Sequence, residues 1–134
     1  PGVMSSVRPE AVLLLEGYND LGASGMTGIN AAWNAIDRMA KEIRGRGARV
    51  FLATLPPPGP LGAKGIPASQ IITLNDRIRT TAAGEGAVLV DAYAALVVDV
   101  PRYIGVDGLH LTEAGYLKLA DLFFTAIRTD LEVR

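Results

Sequence analysis

Ala11-Val12-Leu13-Leu14-Leu15-Glu16 is a continuous apolar run closed by one carboxylate, and Gly17-Tyr18-Asn19-Asp20 follows it directly. A run this short, bounded by Pro9 and Gly17, reads as a strand buried on both faces, as in parallel sheets. From Gly17 to Gly28 the chain is polar and glycine-rich, which marks a turn. Beyond it Ile29, Ala32, Trp33, Ile36, Met39, Ala40 and Ile43 recur at spacings of three and four. That spacing predicts one helix, capped at Thr27, running to about Arg44 and ended by Gly45 and Gly47.

The same alternation continues outward. Ala48 to Thr54 (ARVFLAT) reads as a second buried strand. Leu55 to Pro67 holds five of the eight prolines, so regular structure is not expected there. Pro67 suits the first turn of a second helix reaching about Ala83, with Ile71, Leu74 and Ile78 inward and Gly84 and Gly86 as the stop. Ala87 to Asp91 (AVLVD) is a third strand, and Ala92 to Val98 a short helix. After a loop around Pro101 to Leu111, Thr112 is placed to cap a last helix to about Arg128. Buried strands alternating with amphipathic helices mean one α/β domain over residues 1–134, with a parallel sheet covered on both faces. Chemistry in such sheets gathers in loops at the carboxyl ends of strands, here those starting near Gly17, Leu55 and Ala92.

Composition narrows the function classes. The chain has 134 residues, 49% of them apolar, enough to bury one core. The formal charge is −1, and the densest cationic group is Lys41, Arg44, Arg46 and Arg49. That group reads as the solvated end of a helix, so no nucleic-acid footprint is expected. With no cysteine, disulfides, thiolate metal sites and a cysteine nucleophile are excluded, while the cytoplasm, the periplasm and secretion all stay open. No apolar run approaches a membrane span. Pro1-Gly2-Val3-Met4 has neither the cationic start nor the apolar core of a signal peptide, and it reads as the start of a processed or truncated chain. A lone histidine among scattered carboxylates makes no metal site, and no Gly-rich phosphate loop ending in Lys-Ser or Lys-Thr exists, so no cofactor is expected.

The single histidine, His110, ends Asp107-Gly108-Leu109-His110, just before the last helix. A carboxylate three residues ahead of a histidine can fold back within one turn and accept the imidazole Nδ1–H. The tautomer is then fixed and Nε2 is left as a base. A bare D-x-x-H also arises by chance, and a single histidine is often an ordinary surface or core residue. After the first strand, Gly17 permits a tight turn from which Asn19 can offer its side-chain NH₂ to a developing oxyanion. Gly, Asn and Asp are equally the residues of ordinary turns. The Leu55 to Pro67 loop reads either as a surface connection or as the lining of an acyl or alcohol pocket with Leu55, Tyr18 and Tyr103.

In order and spacing the two motifs resemble the SGNH (GDSL-type) hydrolase family over essentially the whole chain. LLLEGYNDL, Leu13 to Leu21, resembles that family's third block, and VDGLHLTEAGYLKLADLF, Val106 to Phe123, its fifth. The resemblance implies a three-layer, flavodoxin-like sheet of order 2-1-3-4-5, of which this chain supplies the last three strands. It implies hydrolysis of a small ester or thioester through an acyl-enzyme. His110 would be the general base, Asp107 its orienting acid and Asn19 an oxyanion donor, with Gly17 supporting the turn.

The departure from the family is the nucleophile. The G-D-S block and the block that supplies an oxyanion-hole glycine both precede the G-x-N-D block, yet only ten residues precede Ala11, and they contain neither. Of the four serines, Ser5 and Ser6 read as the end of a helix leading into the first strand, Ser24 lies in the G-x-N-D loop within conceivable reach of His110, and Ser69 opens a helix. No nucleophile is identified. The strand Ala11 to Glu16 is therefore expected to be an apolar edge, covered by the missing N-terminal segment or by a second copy of the chain. Three functions compete: an acylhydrolase completed by an absent segment, an inactive fragment or binding module of the same fold, and a receiver- or flavodoxin-type binding domain.

Overall fold

The computed structural model describes residues 6–132. Its regular elements are β1 (Ala11–Leu14), α1 (Met26–Gly45), β2 (Arg49–Ala53), α2 (Ala68–Glu85), β3 (Val88–Val90), α3 (Ala92–Leu96), α4 (Val100–Tyr103) and α5 (Glu113–Glu132). One-turn 3₁₀ segments, Tyr18–Asp20 and Val97–Asp99, follow β1 and α3. The three strands pair in parallel in the order β1-β2-β3, with Leu13 opposite Phe51 and Leu52 opposite Leu89.

The strand period of two splits the core. Leu14, Val50 and Leu52 face one way, onto Ile29, Ala32, Ile36, Ala40 and Ile43 of α1 and Ile71, Leu74 and Ile78 of α2. Phe51, Ala53 and Val90 face the other way, onto Phe123, Leu119 and Leu122 of α5. The result is three layers, α1 and α2, the sheet, then α5. Only β2 is buried on both faces. The expectation for β1 needs correction: α5 lies over β2 and β3, and Leu13 remains 47% exposed. Among the described residues β1 has one strand neighbour, β2.

Element ends differ from the reading of the sequence in instructive ways. Gly25 rather than Thr27 caps α1, and Thr27 lies inside the helix. Pro67, extended at ψ 142°, is the N-cap of α2 and not its first turn. Pro101 sits in the first turn of α4, where a missing N–H costs nothing, so a helical turn stands where a loop was expected. Thr112 does cap the last helix, its hydroxyl accepting from Gly115 N at 3.1 Å. Ser6 and Val7 are helical, while Ser5 lies outside the described residues. Every member of the cationic group meets a carboxylate: Lys41 with Asp37 and Glu85, Arg44 with Glu85, Arg46 with Glu42, and Arg49 with Asp130.

Two polar knots fix the carboxyl ends of the strands. After β3, Asp91 caps α3 through Ala94 N (3.2 Å), accepts from Thr54 Oγ1 (3.0 Å), and takes Arg79 Nε and Nη2 at 3.1 and 3.2 Å. After β2, the side chain of fully buried Asn75 on α2 clasps the backbone of Leu55. Oδ1 accepts Leu55 N at 2.7 Å and Nδ2 donates to Leu55 O at 3.0 Å. Replacing Asn75 with Ala strands both backbone groups away from water. The unfolding free energy should fall by about 3 kcal/mol, read as a lower urea midpoint at unchanged slope. An unchanged midpoint would show that the clasp contributes nothing.

Candidate functional site

The turn after β1 is built on Gly17, whose φ of 131° is one that L side chains rarely adopt. A Cβ there would also lie 2.8 Å from Leu74 Cδ2, a side-chain methyl that would have to shift, so it is the backbone angle that calls for glycine. Tyr18, Asn19 and Asp20 then form one 3₁₀ turn. The phenol of Tyr18 donates to Pro56 O at 2.8 Å. Burial raises the pKa of that phenol far above its ordinary value, so it stays a donor at every physiological pH.

The second half of the site is the loop before α5. Asp107 acts three times as an acceptor. Its Oδ1 takes Leu109 N and His110 N, both at 2.9 Å, and its Oδ2 lies 2.5 Å from His110 Nδ1. The backbone bonds aim the carboxylate and the imidazole completes the pair. With Asp107 ionised, Nδ1 carries the proton, which leaves Nε2 unbonded among the described residues. Lys64 Nζ stands 4.0 Å from Asp107 Oδ2.

The two loops enclose an open pocket of about 300 Å³ walled by Leu15, Glu16, Gly17, Tyr18, Asn19, Pro56, Leu109, His110, Leu111, Tyr116 and Leu119. Asn19, Gly17 and Tyr18 are thus brought together with His110, and Asp107 stands behind it. Leu55 and Tyr103, read from the sequence as pocket residues, are not in the wall. Leu55 is fully buried beneath Gly17, and the carbonyl of Tyr103, at the end of α4, accepts Thr112 N and packs against Gly115. Neither Ser6, Ser24 nor Ser69 is in the wall either. Sequence reasoning missed Leu119, which packs toward the sheet on α5, Tyr116, which stands exposed one turn before it, and Glu16, the last residue of the opening run. Among the described residues no group of three or more acidic or histidine side chains could hold a metal ion, and no helix is long and apolar enough to cross a membrane.

The sequence model of the GDSL-like lipase/acylhydrolase family matches residues 2–118. The chain therefore belongs to that family of hydrolases. Among solved structures, a lipase/acylhydrolase from Enterococcus faecalis superimposes with a TM-score of 0.78 at 23% identity, covering 96% of this chain and 67% of that one. A GDSL-like lipase from Bacteroides thetaiotaomicron gives 0.72 at 24% identity, covering 96% and 68%. The acetyl xylan esterase AlAXEase gives 0.70 at 20% identity, covering 93% and 72%. This chain thus spans about two thirds of the length of the structures it resembles, and it shares their fold. No curated protein sequence matches it.

Hydrogen bonding from His110, then from the two backbone amides, holds the Asp107 carboxyl well below the usual carboxylate range. A lowered folded pKa means stabilisation that is fully present above the unfolded value of about 3.9 and is lost only as pH falls through the lower folded one. The ¹³C carboxyl resonance of Asp107 should accordingly remain that of an anion at about pH 3, where an unperturbed aspartate is mostly protonated. His110→Ala should move its titration back toward the ordinary range. An ordinary midpoint in the unmodified chain would refute the pairing.

Proposed function

We propose that this chain supplies the general base, the orienting acid and one oxyanion donor of a serine acylhydrolase acting on small esters or thioesters. The observation that carries the reading is the 2.5 Å Asp107–His110 pair in the wall of the pocket that also contains Asn19. His110 would take the proton of the attacking hydroxyl through Nε2 and return it to the leaving group, while Asp107 holds the tautomer and stabilises the imidazolium. Asn19 would donate to the tetrahedral oxyanion. A pocket of about 300 Å³ with a largely apolar wall is at the small end of ligand sites, which favours short acyl groups.

The nucleophile in this reading comes on a further segment that pairs with β1. Two features support that seat: the edge of β1 that no strand among the described residues pairs, and the exposed apolar side chains of Leu13 and of Tyr116, Leu117 and Phe124 on α5. A second copy of the chain using the same edge is the alternative occupant. Because no described serine lines the pocket, an inactive binding module of the same fold is the competing function.

Hydrolysis of short-chain p-nitrophenyl esters separates these readings. The chain alone should show no triad-level turnover. Adding an upstream segment that bears a G-D-S strand should restore it. In the restored enzyme Asn19→Ala should lower kcat by about 10²–10³-fold with little change in KM, and Asp107→Asn should lower it by roughly 10⁴-fold. Esterase-level turnover by the unaided chain would overturn the proposal, and no gain with the segment would favour the binding module. Light scattering with intact mass tests the edge. A stable monomer of the chain alone would exclude the second copy, and an added upstream segment that does not bind the chain would exclude the other occupant.

A further inference from the structure

The segment from Pro56 to Ile66 touches both halves of the site. Its first carbonyl, Pro56 O, receives the Tyr18 hydroxyl at 2.8 Å and so holds the turn that carries Asn19. Three residues on, Gly59 N donates to Gly108 O at 3.0 Å, and Lys64 N donates to Asp107 O at 3.2 Å. These bonds grip the backbone of the loop that carries Asp107 and His110. The segment is itself stiff. Pro56-Pro57-Pro58 fixes three successive φ angles, Pro56 and Pro57 are buried, and two short antiparallel bridges, Gly59 to Gly62 and Ala63 to Ile66, close the remainder. Asn75 anchors it at Leu55.

The fit admits no side chain at the crossing. Gly108 has φ 71°, and a Cβ on it would stand 2.0 Å from Gly62 O. A Cβ on Gly59 would stand 2.7 Å from the Cα of Gly108. Backbone against backbone is the closest approach two segments can make, and it leaves the fewest ways to slide. Catalytic pairs tolerate displacements well under 1 Å, so a strap of this kind has a chemical consequence.

We propose that this Pro56–Ile66 strap sets the spacing between the Asn19 turn and the Asp107–His110 pair, with Tyr18 and Gly108 as its two positioning residues. The inference rests on the proposed roles of Asn19 and His110, but the strap makes no chemical step of its own. Tyr18 acts through the turn it anchors and Gly108 through the loop it lets the strap reach.

The test uses the isotopically labelled 134-residue chain and needs no turnover, so a failed assay and a failed strap are distinguishable. His110, the sole histidine, gives one set of imidazole signals. Amide exchange at Gly59 and Lys64 reports the grip. Tyr18→Phe keeps the ring and deletes one hydroxyl. It should speed exchange at both amides roughly tenfold, the loss of about one hydrogen bond's net worth, and should shift the imidazole signals of His110 on the other loop. Gly108→Ala should do both more strongly. Gly84→Ala, in α2 with open space around the position, serves as the control and should do neither. Should Gly108→Ala not fold, Tyr18→Phe carries the test alone. Wild-type exchange at Gly59 and Lys64 in Tyr18→Phe, or a change confined to the Asn19 turn with His110 unmoved, would overturn the proposal.

Discussion

Parallel pairing of β2 with both neighbours is the constraint on which the rest depends. Parallel strands end on one edge, so the turn after β1, the strap after β2 and the Asp91 knot after β3 emerge side by side. β2 can hold the centre because Val50, Leu52, Phe51 and Ala53 are all buried, the even positions against α1 and α2 and the odd ones against α5. A one-residue slip would exchange those faces and put Phe51 where Leu52 fits among the helices. Register here is thus a packing decision, and it fixes how far along the edge each loop begins. The Asp107–His110 loop comes from beyond β3 and meets the strap through the Gly59–Gly108 and Lys64–Asp107 backbone bonds.

The elements carried by periodicity or by uninterrupted apolar runs were legible in the sequence. Ile29, Ala32, Ile36, Ala40 and Ile43 do form the buried face of α1, and ARVFLAT does hold the central strand. The Asp107–His110 geometry was legible too, because a carboxylate and an imidazole three residues apart need only one turn to meet. What the sequence could not show is set by distance along the chain. Whether AVLLLE is covered on both faces depends on where α5 lies, about a hundred residues later. The bond from Tyr18 to Pro56 spans 38 residues, and the docking of Gly59 on Gly108 spans still more. Proline content correctly removed the 55–67 segment from helix and strand but said nothing of its order, which comes from long-range backbone bonds.

The failure at Leu55 has the same origin. As the first residue past a strand it was a reasonable candidate to line a pocket. The Asn75 clasp instead turns its backbone inward and places its side chain under Gly17, so Leu55 supports the turn from below while Pro56 reaches the wall. Two adjacent residues thus divide between core and site, with buried Asn75 of α2 bonded to the backbone of the first.

The electrostatics of the pair argue for the proposed seat at β1. The side chain of His110 is 60% exposed and that of Asp107 29%, so water and Lys64 both screen the carboxylate from the imidazole. A charge pair in such a setting holds a tautomer well, because geometry does that, but it stabilises a developing imidazolium weakly, because dielectric decides that. A segment seated along β1 and over the exposed apolar face of α5 would border the pocket through Leu15 and Tyr116, which already line it. On the proposed reading one docking event therefore does two things: it delivers a hydroxyl to Nε2, and it removes water from around a pair whose geometry the chain has already set.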